Sequence, residues 1–194
     1  MDVWTHKNLA YLPIAKNASS TFTHYFKNSG WALTQLDLLS PDFKIFGHFQ
    51  NPIDRHIKGT VEFLCQHNLV HLIDNPDWQK IFIHAVMDIH SMPIISALGV
   101  RAEKIKWIPI HNQIPTLLVT QKWLKAQGYD CSIENLIWEN KSSAHKLSLY
   151  YKIQDLCQTL NNNGGLNFFY DNDIIHWNSL WPYIDEDNIE YRQY

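Results

Sequence analysis

Short apolar runs alternate with longer amphipathic stretches along most of this chain. The short runs have the length of strands, and the longer stretches carry apolar residues at helical spacing. Because strands that alternate with helices form parallel sheets covered on both faces, the pattern predicts an α/β fold with a mostly parallel sheet flanked by helices. Strands are predicted at Leu9–Ile14, Trp31–Leu36, Phe43–Phe49 and Lys104–Ile110, with a short strand or extended piece at Leu166–Tyr170.

Asn, Pro and Gly mark the ends of the predicted helices, since Asn suits a helix cap, Pro the first turn and Gly the end. A helix is predicted from Ser19 to about Asn28, stopping at Gly30, and Asn51-Pro52 opens another that runs to about Asn68. The remaining helices are predicted from Pro76-Asp77 to about His90, at Ile114–Gly128, at His145–Leu160 and at Asp173–Leu180, with a turn at the NNNGG stretch, 161–165.

Length and charge narrow the class of protein. A chain of 194 residues has the length of one domain, 1–194, and we interpret its acidic end from about residue 185 as a loose tail. A net charge of −3 provides no global basic field for nucleic acid. Three widely spaced cysteines without a CxxC pair favour a reducing compartment. Since neither a signal peptide nor an apolar run of roughly 20 residues is found, we expect a cytoplasmic protein with no nucleic-acid or membrane partner.

The stretch LPIAKNASSTF, residues 12–22, places three hydroxyl side chains at the start of a predicted helix, just after Lys16. The first N–H groups of a helix have no internal partner, and the helix dipole is positive there. Hydroxyl donors and a lysine would turn this helix start into a cradle for phosphate or sulfate. The alternative is an ordinary Ser/Thr cap beside a surface lysine. The stretch is not a Walker loop, because it lacks GxxxxGK[ST].

A second strand–turn–helix follows in FGHFQNPIDRHIKG, residues 46–59, whose helix carries Arg55 and Lys58. Two separated anion sites of this kind would suit a bis-phosphorylated nucleotide. PIAKNASSTF resembles the 5′-phosphosulfate loop of the sulfotransferase superfamily, and FQNPIDRHIKG resembles its 3′-phosphate motif. The resemblance is to the carbohydrate branch and to small bacterial or viral relatives. It implies a P-loop-like sulfotransferase fold and 3′-phosphoadenosine 5′-phosphosulfate (PAPS) as sulfate donor.

The second motif departs from the family pattern at two positions. Gln50 stands where the family has Arg, and Lys58 stands where it has Ser. A neutral amide lacks the charge of a guanidinium, so we hypothesise that Lys58 supplies it. On the resemblance, the residues that bind the nucleotide are Lys16, Asn17, Ala18, Ser19, Ser20, Thr21, Gln50, Arg55 and Lys58.

Three later segments follow the order of the same family. MDIHSMP, residues 87–93, resembles the Asp-x-His-x-x-Pro segment of carbohydrate sulfotransferases. FYDNDIIHW, residues 169–177, resembles a late segment in which Tyr170 and Asp173 are predicted to hold the fold together. ENKSSAHK, residues 139–146, occupies the place where relatives carry an Asn-x-Ser/Thr stretch near the nucleotide.

Sulfuryl transfer needs a cation near the leaving oxygen and a base for the acceptor hydroxyl. We assign the first role to Lys16. The catalytic base is predicted to be His90, which has Asp88 two residues before it, or else Asp37 after the second predicted strand. Each has a structural alternative, since Asp37 also suits the start of a loop and His90 a structural role. His48 is predicted to be packed, and Glu62 to pair with Lys58 along one helix.

No metal is expected in this scheme. His67 and His71 have the i,i+4 spacing of metal ligands, but HExxH does not occur. The predicted function is therefore transfer of a sulfuryl group from PAPS to a hydroxyl, for which a sugar is one candidate acceptor. Trp78 and Trp138 would either stack on such a sugar or be buried. The alternatives are a family member that binds a nucleotide or glycan without catalysis and, disfavoured by the missing Walker loop, a nucleotide-dependent kinase.

Overall fold

The computed structural model describes residues 1–75, 78–110, 113–131, 144–162 and 165–187. The chain forms two compact units. The first, which we call the sheet unit, comprises Met1–Gln50, Val100–Asn140 and Asn178–Tyr194. The second, which we call the helical unit, comprises Asn51–Gly99 and Lys141–Trp177. A single sulfotransferase-like domain over 1–194 stays a prediction.

The sheet unit contains a five-stranded open sheet with the strand order β3-β1-β2-β4-β5. The strands β2, β4 and β5 run parallel, whereas β1 is antiparallel to both of its neighbours. The α/β prediction with helices flanking a sheet is confirmed, but the prediction of a mostly parallel sheet is wrong. The strands are β1 (Asp2–His6), β2 (Leu9–Leu12), β3 (Ala32–Gln35), β4 (Lys44–Phe49) and β5 (Ile105–Pro109).

The strand β1, which was not predicted, accounts for the mixed sheet. His6 pairs with Leu9, so only Lys7 and Asn8 remain for the turn, and Lys7 adopts a left-handed φ of 53°. A turn this short can join only antiparallel strands. Because β1 also pairs with β3, it lies between β2 and β3 in the sheet.

Seven α-helices occur in the described residues, and most of them begin and end near their predicted positions. The end of the first helix has Gly30 at a φ of 77°, which is a left-handed conformation that favours glycine. The helices are α1 (Ser19–Asn28), α2 (Pro52–Gln66), α3 (Trp78–Val86), α4 (Ile94–Leu98), α5 (Gln113–Ala126), α6 (Ala144–Asn162) and α7 (Gly165–Asp187).

An aromatic core fills one face of the sheet unit. The ring of Tyr11 on β2 contacts Phe22 and Phe26 on α1 and Phe46 on β4, with ring centroids 5.0 to 5.9 Å apart. Trp123 of α5 adds a ring 4.8 Å from Phe46. This burial of large apolar surface holds the start of α1 against the sheet.

The helical unit has its own core, formed mainly between α2 and α6. Asn51 caps α2, because its Oδ1 accepts hydrogen bonds from the N–H groups of Ile53 (2.9 Å) and Asp54 (3.2 Å). Pro52 then occupies the first helical turn, as the Asn-Pro pair predicted. The buried core residues are Ile57, Val61, Leu64, Ile73, Leu149, Ile153, Cys157 and Leu166.

One strand prediction and the bounds of two predicted helices need correction. The strand predicted at Leu166–Tyr170 is wrong, since these residues and the helix predicted at Asp173–Leu180 both belong to α7. The buried residues of this segment recur at helical spacing, so the sequence pattern itself indicated a helix. They are Leu166, Tyr170, Asp173 and Trp177. The helix α3 ends at Val86 rather than near His90, and its predicted start at Pro76-Asp77 lies outside the described residues.

Near the end of the chain, α7 continues through Asp187 and so includes the first residues of the predicted tail. Residues 188–194 lie outside the described residues. Within the described ranges, no helix has both the length and the apolar character required to cross a membrane.

Candidate functional site

Residues 15–18 form the last part of the loop between β2 and α1, and we call them the Lys16 loop. The sign of the backbone angle φ alternates along this loop. The φ angle is positive at Lys16 (65°) and at Ala18 (56°) but not at Asn17 between them. In an alternating backbone of this kind, successive N–H groups can point toward one anion, although the N–H of Asn17 is itself bound to the carbonyl of Ile14. None of these positions is glycine, although a left-handed conformation costs other residues about 1 to 2 kcal/mol.

The helix α1 starts directly after this loop without a built-in cap. At the start of α1 the cap residue is Ala18, whose side chain forms no capping bond, and the first turn carries no acidic residue. The cap position itself is therefore not occupied by Ser or Thr. The positive end of the helix dipole meets three hydroxyl side chains, of which Ser19 and Ser20 are partly buried and Thr21 is buried.

Asn17 anchors the Lys16 loop to the sheet. Its side chain is fully buried, and its Nδ2 donates a 2.7 Å hydrogen bond to the carbonyl of His48 on β4. Its Oδ1 is buried without a hydrogen-bond partner among the described residues. The backbone N–H of Asn17 also donates to the carbonyl of Ile14 at 3.0 Å, so the loop is held from both sides.

His48 is packed, as predicted. Its ring stacks on Phe22 with centroids 3.9 Å apart, and its Nε2 lies 2.9 Å from the hydroxyl oxygen of Thr120. Burial lowers the pKa of His48 to about 3, so the side chain is neutral at ordinary pH. This histidine therefore supports the loop through packing and through its carbonyl.

The residues of the second motif are divided between the two units. Gln50 is buried in the sheet unit, whereas Arg55 is buried in the helical unit and Lys58 is exposed there. The Arg55 guanidinium donates to the carbonyls of Met92 (2.5 Å) and Ile89 (3.1 Å). Burial lowers the pKa of Arg55 to about 10, although nearby acidic groups partly offset this.

The Arg55 side chain thus binds two backbone carbonyls, and Lys58 is an exposed residue. Glu62, predicted as a partner of Lys58, accepts hydrogen bonds from Lys146 (2.8 Å) and Gln66 (3.1 Å). The nucleotide-binding roles of Gln50, Arg55 and Lys58 stay predictions.

A turn of residues 87–93, which we call the His90 turn, follows α3. The Asp88 carboxylate accepts a hydrogen bond from the backbone N–H of His90 at 2.9 Å and lies 2.6 Å from its Nδ1. This local bond explains why the helix stops, because an Asp side chain that binds nearby backbone competes with the helical pattern. A carboxylate at this distance favours the tautomer of His90 that carries its proton on Nδ1, with Nε2 as the other ring nitrogen.

Buried polar groups hold the His90 turn and the start of α4 that follows it. The hydroxyl of Tyr170 donates to the carbonyl of Ser91 and lies 2.8 Å from Nδ1 of His56. The Asp173 carboxylate accepts hydrogen bonds from the N–H groups of Ile94 (2.7 Å) and Ile95 (2.8 Å). Burial raises the pKa of Asp173, and these two backbone donors act in the opposite direction. The prediction that Tyr170 and Asp173 hold the fold together is confirmed.

Sequence analysis missed Gly59 as part of this arrangement. A Cβ atom at Gly59 would overlap the carbonyl oxygen of His90 and the Oγ of Ser91, so the turn packs directly on α2. A glycine inside an amphipathic helix is the signal that pointed to such a close approach.

Other predicted residues lie elsewhere. Asp37, after β3, pairs with Arg101 on the surface, and none of its described contacts involves the Lys16 loop. Trp78 is partly buried against the core of the helical unit, whereas Trp138 and most of the 139–146 segment lie outside the described residues. Among the described residues, no group of three or more His, Cys, Asp or Glu side chains is arranged to hold a metal ion.

Comparison of the chain with protein-family models, curated proteins and solved structures found no match. The resemblance to sulfotransferases therefore remains a hypothesis based on the quoted motifs and their order. The geometry of the Lys16 loop and of the Asp88–His90 pair provides physical arguments that do not depend on this resemblance.

Proposed function

We propose that this chain is a sulfotransferase that uses PAPS as donor and binds its 5′-phosphosulfate at the Lys16 loop. The observation that carries the proposal is the left-handed backbone at Lys16 and Ala18, placed directly before a helix whose cap residue has no polar side chain. A left-handed turn, a helix N-terminus and a lysine are together elements of a phosphate or sulfate site. A P-loop-like fold around this loop is part of the same proposal.

In the proposed reaction, the acceptor hydroxyl oxygen forms a bond to sulfur while the bond from sulfur to the bridging phosphate oxygen breaks. Negative charge develops on the leaving phosphate, 3′-phosphoadenosine 5′-phosphate. Lys16 stabilises this charge, and Ser20 and Thr21 donate hydrogen bonds to the same group. The scheme uses no metal ion.

The proton of the acceptor hydroxyl needs a base, and we assign this role to His90. Its Nδ1 is held by Asp88 at 2.6 Å, which leaves Nε2 as the atom that accepts the proton. Both side chains are partly buried, with exposed fractions of 20% and 18%. Asp37 is the weaker candidate, because its carboxylate already pairs with Arg101. A sugar hydroxyl remains one candidate acceptor.

A second candidate function, binding of a nucleotide or glycan without turnover, is favoured by the second motif. Arg55 directs two of its donors to backbone carbonyls, and the neighbouring family position carries neutral Gln50. The 3′-phosphate would then be met chiefly by Lys58. Such a protein would bind 3′-phosphoadenosine 5′-phosphate but would transfer no sulfate.

Calorimetry with 3′-phosphoadenosine 5′-phosphate and with ATP tests the proposal. We expect Lys16→Met to weaken binding of the first nucleotide by roughly 10- to 100-fold, since hydrogen bonds to charged groups contribute about 1.5 to 3 kcal/mol. Lys27→Met is the matched control, because Lys27 is an exposed lysine at the other end of α1. Equal affinities for both variants would overturn the proposed site, and preference for ATP would favour a kinase. Binding without sulfate transfer from PAPS to a mixture of sugar and alcohol acceptors would favour the non-catalytic function.

A further inference from the structure

Three carbonyl groups of the His90 turn accept hydrogen bonds from buried side chains. Arg55 donates to the carbonyls of Ile89 and Met92, and Tyr170 donates to the carbonyl of Ser91 between them. The donors are buried, yet His90 at the centre of the turn keeps part of its side chain exposed. Buried side chains therefore hold the backbone of the turn, while the side chain of its histidine stays partly exposed.

Arg55 suits this role because of the shape of its guanidinium. Two N–H groups in a fixed planar fork can bind two carbonyls at once, whereas a lysine ammonium offers a single point of charge. The side chain is 2% exposed, and a buried cation is strongly unfavourable unless hydrogen bonds compensate it. Arg55 is therefore committed to the backbone of the turn.

Gly59 provides independent support from the next turn of α2. It is four residues after Arg55 and so lies on the same helix face. A side chain at Gly59 would overlap the His90 carbonyl and the Ser91 hydroxyl oxygen. One face of α2 thus contacts the turn at two positions. Arg55 donates hydrogen bonds to it, and Gly59, which has no side chain, lets the two backbones approach closely.

We infer that Arg55 is a positioning residue, which fixes the backbone of the His90 turn so that Asp88 holds Nδ1 of His90 and leaves Nε2 to accept a proton. This differs from the nucleotide-binding role that the motif predicts for Arg55. The catalytic use of Nε2 rests on the proposed function, but the contacts and the ring orientation do not.

Nitrogen-15 NMR of the histidine rings tests the inference without any acceptor. Two-bond correlations identify which ring nitrogen of His90 carries the proton, and the wild-type protein is expected to show protonated Nδ1. In Arg55→Met the turn loses two donors, and we expect the ratio of the two neutral tautomers of His90 to change at least threefold. Arg55→Lys, which keeps the buried charge but lacks the fork, is expected to give an intermediate ratio.

Lys152→Met is the control for loss of a cation in the same unit, because Lys152 pairs with Asp74 on the surface. It should leave the His90 ring signals unchanged. If Arg55→Met fails to fold, Arg55→Lys decides the question. A folded Arg55→Lys protein with the wild-type tautomer of His90 overturns the inference.

Calorimetry on the same variants separates this inference from the proposed function. A positioning role predicts that Arg55→Lys changes the affinity for 3′-phosphoadenosine 5′-phosphate by less than about twofold. A tenfold loss with an unchanged His90 tautomer would make Arg55 a nucleotide ligand and overturn the inference. If wild-type protein does not bind this nucleotide, the proposed function fails, while the ring measurement still decides the role of Arg55.

Discussion

The Lys16 loop and the His90 turn, the candidate sites of the two units, obtain their shapes in different ways. The Lys16 loop is shaped by its own backbone, with left-handed residues at Lys16 and Ala18 and one buried anchor, Asn17. The His90 turn is instead shaped by side chains that reach it from α2 and α7. A site shaped by its backbone can present N–H groups to an anion, whereas a turn held by side chains can keep one ring in one orientation.

Substitutions in the two sites should affect the stability of the protein differently. In the His90 turn, removing one buried partner leaves unpaired donors or acceptors, which cost about 1 to 3 kcal/mol each. In the Lys16 loop, a substitution can relieve backbone strain and leave the hydrogen bonds intact. The two sites should therefore respond to substitution in opposite directions.

The largest effect is expected for Asp173→Ala in the helical unit. The variant leaves the N–H groups of Ile94 and Ile95 without their acceptor and removes a buried charge that interacts with Arg55. We expect the free energy of unfolding in urea to fall by about 3 to 5 kcal/mol. Asp171→Ala, an exposed position on the same helix, should change it by no more than about 0.5 kcal/mol. Equal losses for the two variants would contradict the buried network.

The pH dependence of stability compares one buried histidine from each unit. Burial lowers the pKa of His48 and of His56 from 6.5 to about 3. Below pH 6.5 the unfolded chain takes up protons that the folded protein does not bind, so stability falls as the pH falls toward 3. The expected slope is about 1.4 kcal/mol per pH unit for each histidine.

Urea unfolding between pH 4 and pH 7 measures this slope, and His48→Gln and His56→Gln should each remove about half of the histidine contribution. The slopes are compared rather than the absolute stabilities, because both substitutions also change packing. A slope that neither variant reduces would mean that these rings are accessible to protons in the folded state.

A smaller effect of opposite sign is expected in the Lys16 loop. Ala18 adopts φ 56° and ψ 19°, which glycine reaches without steric cost, so Ala18→Gly should raise the free energy of unfolding by roughly 0.5 to 1 kcal/mol. Ala32→Gly is the matched control, since this exposed alanine lies in the regular strand β3 and its replacement should lower stability. Destabilisation by both variants would show that the loop does not hold Ala18 in the left-handed conformation.

The smallest effect is expected for Asp37→Asn, which removes an ion pair outside both candidate sites. Its partner Arg101 is exposed, and such pairs contribute little in water, so stability should change by no more than about 0.5 kcal/mol. Any sulfate transfer from PAPS should persist in this variant and be lost in His90→Gln. Loss of transfer in Asp37→Asn but not in His90→Gln would identify Asp37 as the catalytic base.

Much of the fold could be predicted from sequence because its signals are local. The bounds of α1 and the Asn51-Pro52 start of α2 follow from caps, turns and spacing within a few residues. The first part of α7 was missed although Leu166, Tyr170 and Asp173 carry its spacing, since FFY also suits a strand. The left-handed backbone of the Lys16 loop could not be predicted, because no glycine marks it.

The sequence by itself determined the alternation of strands and helices and the placement of a lysine and hydroxyl groups at the start of α1. Tertiary structure decided that β1 enters the sheet between β2 and β3. It also decided that Arg55 binds the carbonyl of Met92, 37 residues away, and that Tyr170 binds that of Ser91, 79 residues away. The physical reason is that caps and periodicity act between neighbours in the chain, whereas the partner of a buried donor depends on which segments pack together.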